Sequence, residues 1–166
     1  ERRELLGRIA KIHEEQAEDY AAALETMALL LHEDLSDTHV RSELERLAKV
    51  ASAEKRLAEI YATELEAVSA DDSSTAELAT RAGQLYEAQG DPERALVHFR
   101  RALAFTPEDQ RLFGAVDAIL IRQEKHTERI ALYRTSLDHR FDTEERLRAL
   151  HMIASLQHHI GESSAA

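Results

Sequence analysis

The stretch GQLYEAQGDPERALVHFRRALAFTP, residues 83–107, constrains the fold more than any other part of the chain. It reads as helix, glycine turn, helix and proline stop. Extended to 76–109, it sets Ala79, Ala82, Gly83 and Tyr86 on one helix and Ala95, Phe99 and Ala102 on the next, with Pro107 closing the unit. Small residues at Gly83 and Ala95 let two antiparallel helices approach, and Tyr86 and Phe99 fill the space beside them. Asp91-Pro92 has the chemistry of an N-cap followed by a first-turn proline. Thr106-Pro107 with Asp109 is expected to open the next helix in the same way, and Ser74 with Glu77 to form a capping box before the first.

The pattern recurs in phase. Residues 110–143 place Phe113, Val116, Leu120, Tyr133, Ser136 and Leu137 at the core positions, with Asp117 and Arg129 at the two small-residue positions, which implies a wider gap between those helices. Residues 41–74 place Leu44, Leu47, Ala48, Ala51, Leu57, Ile60, Ala67 and Val68 likewise, and Ile9-Ala10 recurs as Ile153-Ala154. Helices are expected at 3–16, 19–33, 38–53, 56–69, 75–89, 92–105, 108–123, 126–139 and 143–160, with SADDSS (69–74) as a loop. No alternating β-branched run argues for a strand.

The unit at 76–109 resembles the tetratricopeptide repeat, whose pattern W-x2-L-G-x2-Y, A-x3-F and P spans about 34 residues. Gly83, Tyr86, Ala95, Phe99, Ala102 and Pro107 match it; Ala79 and Ala82 stand where the family has bulky residues. The resemblance implies an all-α fold, a right-handed α-solenoid of stacked antiparallel helix pairs. It would form one domain, 1–166, with repeats at about 3–38, 41–74, 76–109, 110–143 and a truncated 147–166. Because the chain starts without methionine and stops within the pattern, it reads as a fragment of a larger bacterial protein of this kind.

The family's first helices line a concave groove that takes extended peptides or single helices. By phase, the groove-facing positions are Glu4, Gly7, Lys11, Glu14; Ser42, Glu45, Lys49; Glu77, Thr80, Gln84, Glu87; Arg111, Gly114, Ala118, Arg122; and Arg148, His151, Ser155. Partner binding is expected at Lys49, Gln84, Arg111, Gly114, Arg122, Arg148 and His151. Guanidinium groups bind carboxylates bidentately, so the last part of this set suits an acidic protein segment. The plainer reading is a solvated face whose arginines pair with nearby glutamates. Gly7 and Gly114 sit inside helices at one groove phase, where a missing side chain admits a ligand backbone. The Lys and Asn set that some family members use to clamp chaperone tails is missing.

Other classes are disfavoured. A formal charge of −11 repels phosphate backbones, so nucleic acid is not an expected partner. No apolar run approaches the roughly 20 residues of a membrane span. The chain has no cysteine, which suits the cytoplasm and removes thiolate metal sites. Nine histidines include His151, His158 and His159 on one helix, without the tight spacing of a zinc motif. No catalytic constellation, metal site or cofactor is therefore expected, and the chain reads as a non-enzymatic binding scaffold. The alternative is a spacer or self-assembly module. Leu150, Ile153, Leu156 and Ile160 form an apolar stripe near the C-terminal end, expected to be covered by a dimer mate, a neighbouring molecule or a further repeat.

Overall fold

The computed structural model describes residues 1–68, 72–139 and 142–165, the last four by backbone alone. Among them are nine helices and no strand: α1 (Arg2–Glu15), α2 (Tyr20–Glu33), α3 (Thr38–Val50), α4 (Glu54–Ala67), α5 (Ser73–Ala88), α6 (Pro92–Phe105), α7 (Gln110–Arg122), α8 (His126–Leu137) and α9 (Thr143–Ala165). Each lies within a few residues of its expected position, except that α9 runs on past residue 160.

Aspartates start most of these helices because a short carboxylate can accept from the free N–H groups of a first turn. Asp19 accepts from Ala22 N–H at 2.9 Å, Asp37 from His39 and Val40, Asp91 from Arg94, and Asp109 from Arg111 and Leu112. Two expected caps are corrected. The capping box before α5 is formed by Asp72 and Thr75, with Thr75 N–H donating to Asp72 Oδ1 at 2.8 Å; Ser74 lies inside the helix. Asp109 caps α7, and Pro107 sits in the preceding turn, three residues too early to be the first helical residue. Of the SADDSS loop, 69–71 lies outside the described residues, and Ser73-Ser74 is helical.

The turns inside the helix pairs share one construction. Glu18, Ser52, Gly90 and Glu124 have φ of 52°, 52°, 75° and 54°, one left-handed residue per turn. In three of the turns the following N–H returns to the helix just ended: Ala53 to Ala48 O at 2.7 Å, Asp91 to Tyr86 O at 2.9 Å, and Lys125 to Leu120 O at 3.0 Å. This is the bonding of a helix ending on a left-handed residue. Only Gly90 adopts that conformation without a Cβ clash.

The chain divides into two compact units, Glu1–His98 and Phe99–Ala166. In the first, consecutive helices from α1 to α5 pack in chain order. Its core is filled by Leu24, Leu31, Leu44, Leu47, Leu57, Tyr61, Leu65 and Leu78, each at most 1% exposed. Tyr61 was not among the expected core residues; burial raises its phenol pKa above the ordinary value. Ala67 is exposed, contrary to expectation, because it ends α4. Tyr86 and His98 stack with ring centroids 5.4 Å apart, and the Arg94 guanidinium lies 5.5 Å from the Tyr86 centroid.

In the second unit α7 packs on α8 and α8 on α9. Val116, Ile119 and Leu120 are fully buried, and so is Ala102. Phe99 is 2% exposed.

Candidate functional site

In the first unit several of the groove-phase residues line clefts between alternate helices. One of about 560 Å³ is lined by Gly7, Lys11 and Glu14 of α1 and by Glu43 and Arg46 of α3. A Cβ built on Gly7 meets nothing within 4 Å, so the glycine faces open space. A second, of about 540 Å³, is lined by Ser42, Glu45 and Lys49 of α3 and by Arg81 and Leu85 of α5.

Arginine–glutamate clamps cross these clefts. Arg46 Nη1 and Nη2 donate to the two oxygens of Glu14 at 2.8 Å each. Arg81 donates to both oxygens of Glu45 at 2.7 and 2.9 Å, and Arg41 pairs with Glu77 at 3.0 Å. The forked geometry is the strong form of this contact. The Arg46 hydrogen bond, opposed by partial desolvation, holds the Glu14 carboxyl below the usual glutamate value and raises the guanidinium's own pKa. Gln84 accepts from Arg81 Nη1 at 3.1 Å. Lys49 is exposed and has no carboxylate partner among the described residues. Most charge on this face is therefore internally compensated.

The second unit differs. Arg111, Gly114, Ala118 and Arg122 all lie on the exposed side of α7, and Arg148, His151 and Ser155 on that of α9. Arg111 has no carboxylate partner among the described residues. Space around a Cβ at Gly114 is open. Among the described residues Arg148 pairs only along its own helix, donating to Glu144 at 3.1 Å, with both side chains more than 70% exposed. An exposed pair of this kind contributes little and exchanges readily.

Beneath this face lies a polar cluster whose pairing was not legible in the sequence. Arg129 Nε donates to Asp117 Oδ1 at 2.8 Å, and the Tyr133 hydroxyl donates to Asp117 Oδ2 at 3.0 Å. The Arg129 and Asp117 side chains are 10% and 14% exposed. The two residues that break the small-residue pattern thus compensate each other. Phe113 meets Tyr133 edge-on at 5.1 Å. On another side of the unit, Leu103, Ala104, Phe113, Ala131 and Leu132 line a mainly apolar cleft of about 560 Å³, rimmed by the Arg100–Glu128 pair.

The expected end stripe is corrected. Ile153 and Leu156 are 7% and 6% exposed because α9 turns them onto Ile130 of α8, with Tyr133, Leu137, Met152 and Ile160 alongside. Leu150 remains open at 49%, next to Leu147 at 51%. Two members of the stripe therefore need no further cover; its exposed member is Leu150, and Leu147, outside the expected stripe, adds to that open apolar surface.

Compared with known protein families and with curated proteins, the chain matches none. Among the described residues, no three acidic or histidine side chains are grouped to hold a metal ion. His159 meets His126 edge-on at 5.0 Å, so it belongs to the α8–α9 packing. Among the described residues no helix is long and apolar enough to cross a membrane.

Proposed function

We propose that the chain is a run of tetratricopeptide-type repeats acting as a non-enzymatic scaffold, and that the exposed faces of its first helices hold a segment of a partner protein. The repeated turn, with its left-handed residue at Glu18, Ser52, Gly90 and Glu124, supports the repeat reading. The right-handed superhelix implied by the resemblance is part of the same proposal. So is work in the cytoplasm, which the lack of cysteine suits.

One observation carries the binding reading. In the first unit the groove-phase glutamates Glu14 and Glu45 are already held by Arg46 and Arg81, whereas Arg111 of the second faces solvent with no carboxylate partner among the described residues and Gly114 leaves open space one turn away. An acidic, extended segment laid along α7 would supply a carboxylate to Arg111, bring its backbone close at Gly114 and compete for Arg122 and Arg148 with the contacts they already make, Arg148 being released from Glu144. The test is comparative capture. The chain and its Arg111→Glu, Arg122→Glu, Arg148→Glu variant are immobilised after their helicity and melting have been matched. A protein retained by the first and lost by the second supports the reading; identical retained sets reject it.

A further inference from the structure

The helix α1 carries an apolar face that the other first helices of the repeats bury. Leu5, Ile9 and Ile12 are 51%, 43% and 48% exposed, at i, i+4 and i+7, one stripe of a helix. The matching positions of α3 are Val40, Leu44 and Leu47, and those of α9 are Ala149, Ile153 and Leu156; none of these six is more than 7% exposed. Those of α5 and α7 are buried too. The pair α8–α9 shows what this face is built to meet. In that unit α9 packs on α8, and Ile153 and Leu156 are covered by Ile130, with Tyr133 and Leu137 beside it. On α1, Ala10 is buried and the Leu5–Ile9–Ile12 side is open.

Charge narrows the occupant. Residues 1–12 hold four basic side chains (Arg2, Arg3, Arg8, Lys11) against two acidic ones (Glu1, Glu4), in a chain of net charge −11. Arg2 pairs with Glu33 at 3.2 Å, Arg3 with Asp37, and Lys11 with Glu15 at 3.5 Å. Arg8, at the middle of the stripe, has no acidic partner among the described residues. Two copies meeting antiparallel through this stripe would bring their Arg8 groups together, and like charges at close range oppose that pairing. In α9 the position of Arg8 is held by Met152, and Arg129 of α8 reaches its sulfur at 3.9 Å. A helix seated on α1 as α8 sits on α9 would need an acidic residue in place of that arginine.

We propose that the Leu5–Arg8–Ile9–Ile12 face is a docking site for an acidic amphipathic helix of a partner polypeptide. That helix presents apolar residues at the spacing of Ile130, Tyr133 and Leu137 and a carboxylate to Arg8. The site uses residues of α1 alone and none of those proposed above to bind on α7.

The probe is a fluorescent peptide of residues 126–139 carrying Arg129→Glu and held helical by a side-chain lactam, titrated against the whole chain. Saturable binding is expected. The Ile9→Glu variant should weaken it by about tenfold or more, as loss of one seated aliphatic group and insertion of a like charge imply. The Arg8→Glu variant should reject this peptide and bind the one that retains Arg129. That reversal keeps the test decisive should Ile9→Glu perturb α1. No saturable binding, binding indifferent to Ile9→Glu, or no exchange of preference with Arg8→Glu would overturn the proposal. So would sedimentation showing that the chain alone forms a dimer abolished by Ile9→Glu, since the occupant would then be a second copy.

Discussion

The guanidinium of Arg129 donates to the carboxylate of Asp117 at 2.8 Å, between α8 and α7, at the two positions where the repeat pattern calls for small residues. Each residue alone departs from the repeat pattern; as a pair they complete it. A half-removed buried pair leaves an unpaired charge, so Asp117→Ala or Arg129→Ala should each cost roughly 2–4 kcal/mol, somewhat under the loss seen for fully sealed pairs. The double variant Asp117→Gly, Arg129→Ala restores two small residues and should cost less than the worse single change. A urea-denaturation double-mutant cycle measures this; additive losses would show that the pair is not coupled.

Gly90 has φ of 75° with open space around a Cβ. Gly90→Ala therefore meets no neighbour, and its cost is conformational, about 1 kcal/mol. Glu124→Gly at the matching turn should move stability the other way by up to about that amount, less the entropy that glycine adds to the unfolded chain. Thermal melts of the two variants check both signs.

Tyr86 is 3% exposed and stacked on His98. Tyr86→Ala should cost roughly 3–5 kcal/mol, as for other buried aromatic truncations. Tyr86→Phe should keep most of the stability, because the contacts that fill the core are those of the ring. Equal losses in the two variants would place the stabilisation in the hydroxyl instead.

Acid should weaken the first unit. Hydrogen bonds from Arg46 and Arg56, opposed by partial desolvation, hold Glu14 and Glu25 below the ordinary glutamate value of 4.5. A carboxyl group whose pKa falls on folding contributes stability above its unfolded pKa and loses it as pH falls through the lower folded value. Denaturation midpoints should thus decline from about pH 4.5 downward. The Glu14→Gln, Glu25→Gln variant should decline less steeply over that window, and added salt should shrink the difference. Parallel curves for variant and parent would contradict this.

Helices were legible because their signal is local. Periodic leucines and alanines place each helix, and Gly90 marks its turn. Caps were harder, since Ser74–Glu77 and Asp72–Thr75 both have the required spacing, and the choice falls to the shorter, charged acceptor at Asp72. The sequence shows Asp117 and Arg129 as two departures that imply a wider gap, and not as a pair, because their compensation lies across a helix interface. The α9 stripe was read as open for a related reason: periodicity identifies an apolar face but not which neighbour covers it, and α8 already covers Ile153 and Leu156. For the site, phase placed Arg111, Gly114, Arg122, Arg148 and His151 on exposed helix faces. It did not reveal that Arg46 and Arg81 would be occupied by glutamates.

The most direct measurement is an NMR titration of the 15N-labelled chain with a glutamate-rich undecapeptide. The account predicts saturable shifts concentrated at Arg111, Gly114, Ala118, Arg122, Arg148 and His151, weakening with salt and lost in the triple Arg→Glu variant. Shifts scattered over both units, or undiminished in that variant, would contradict it.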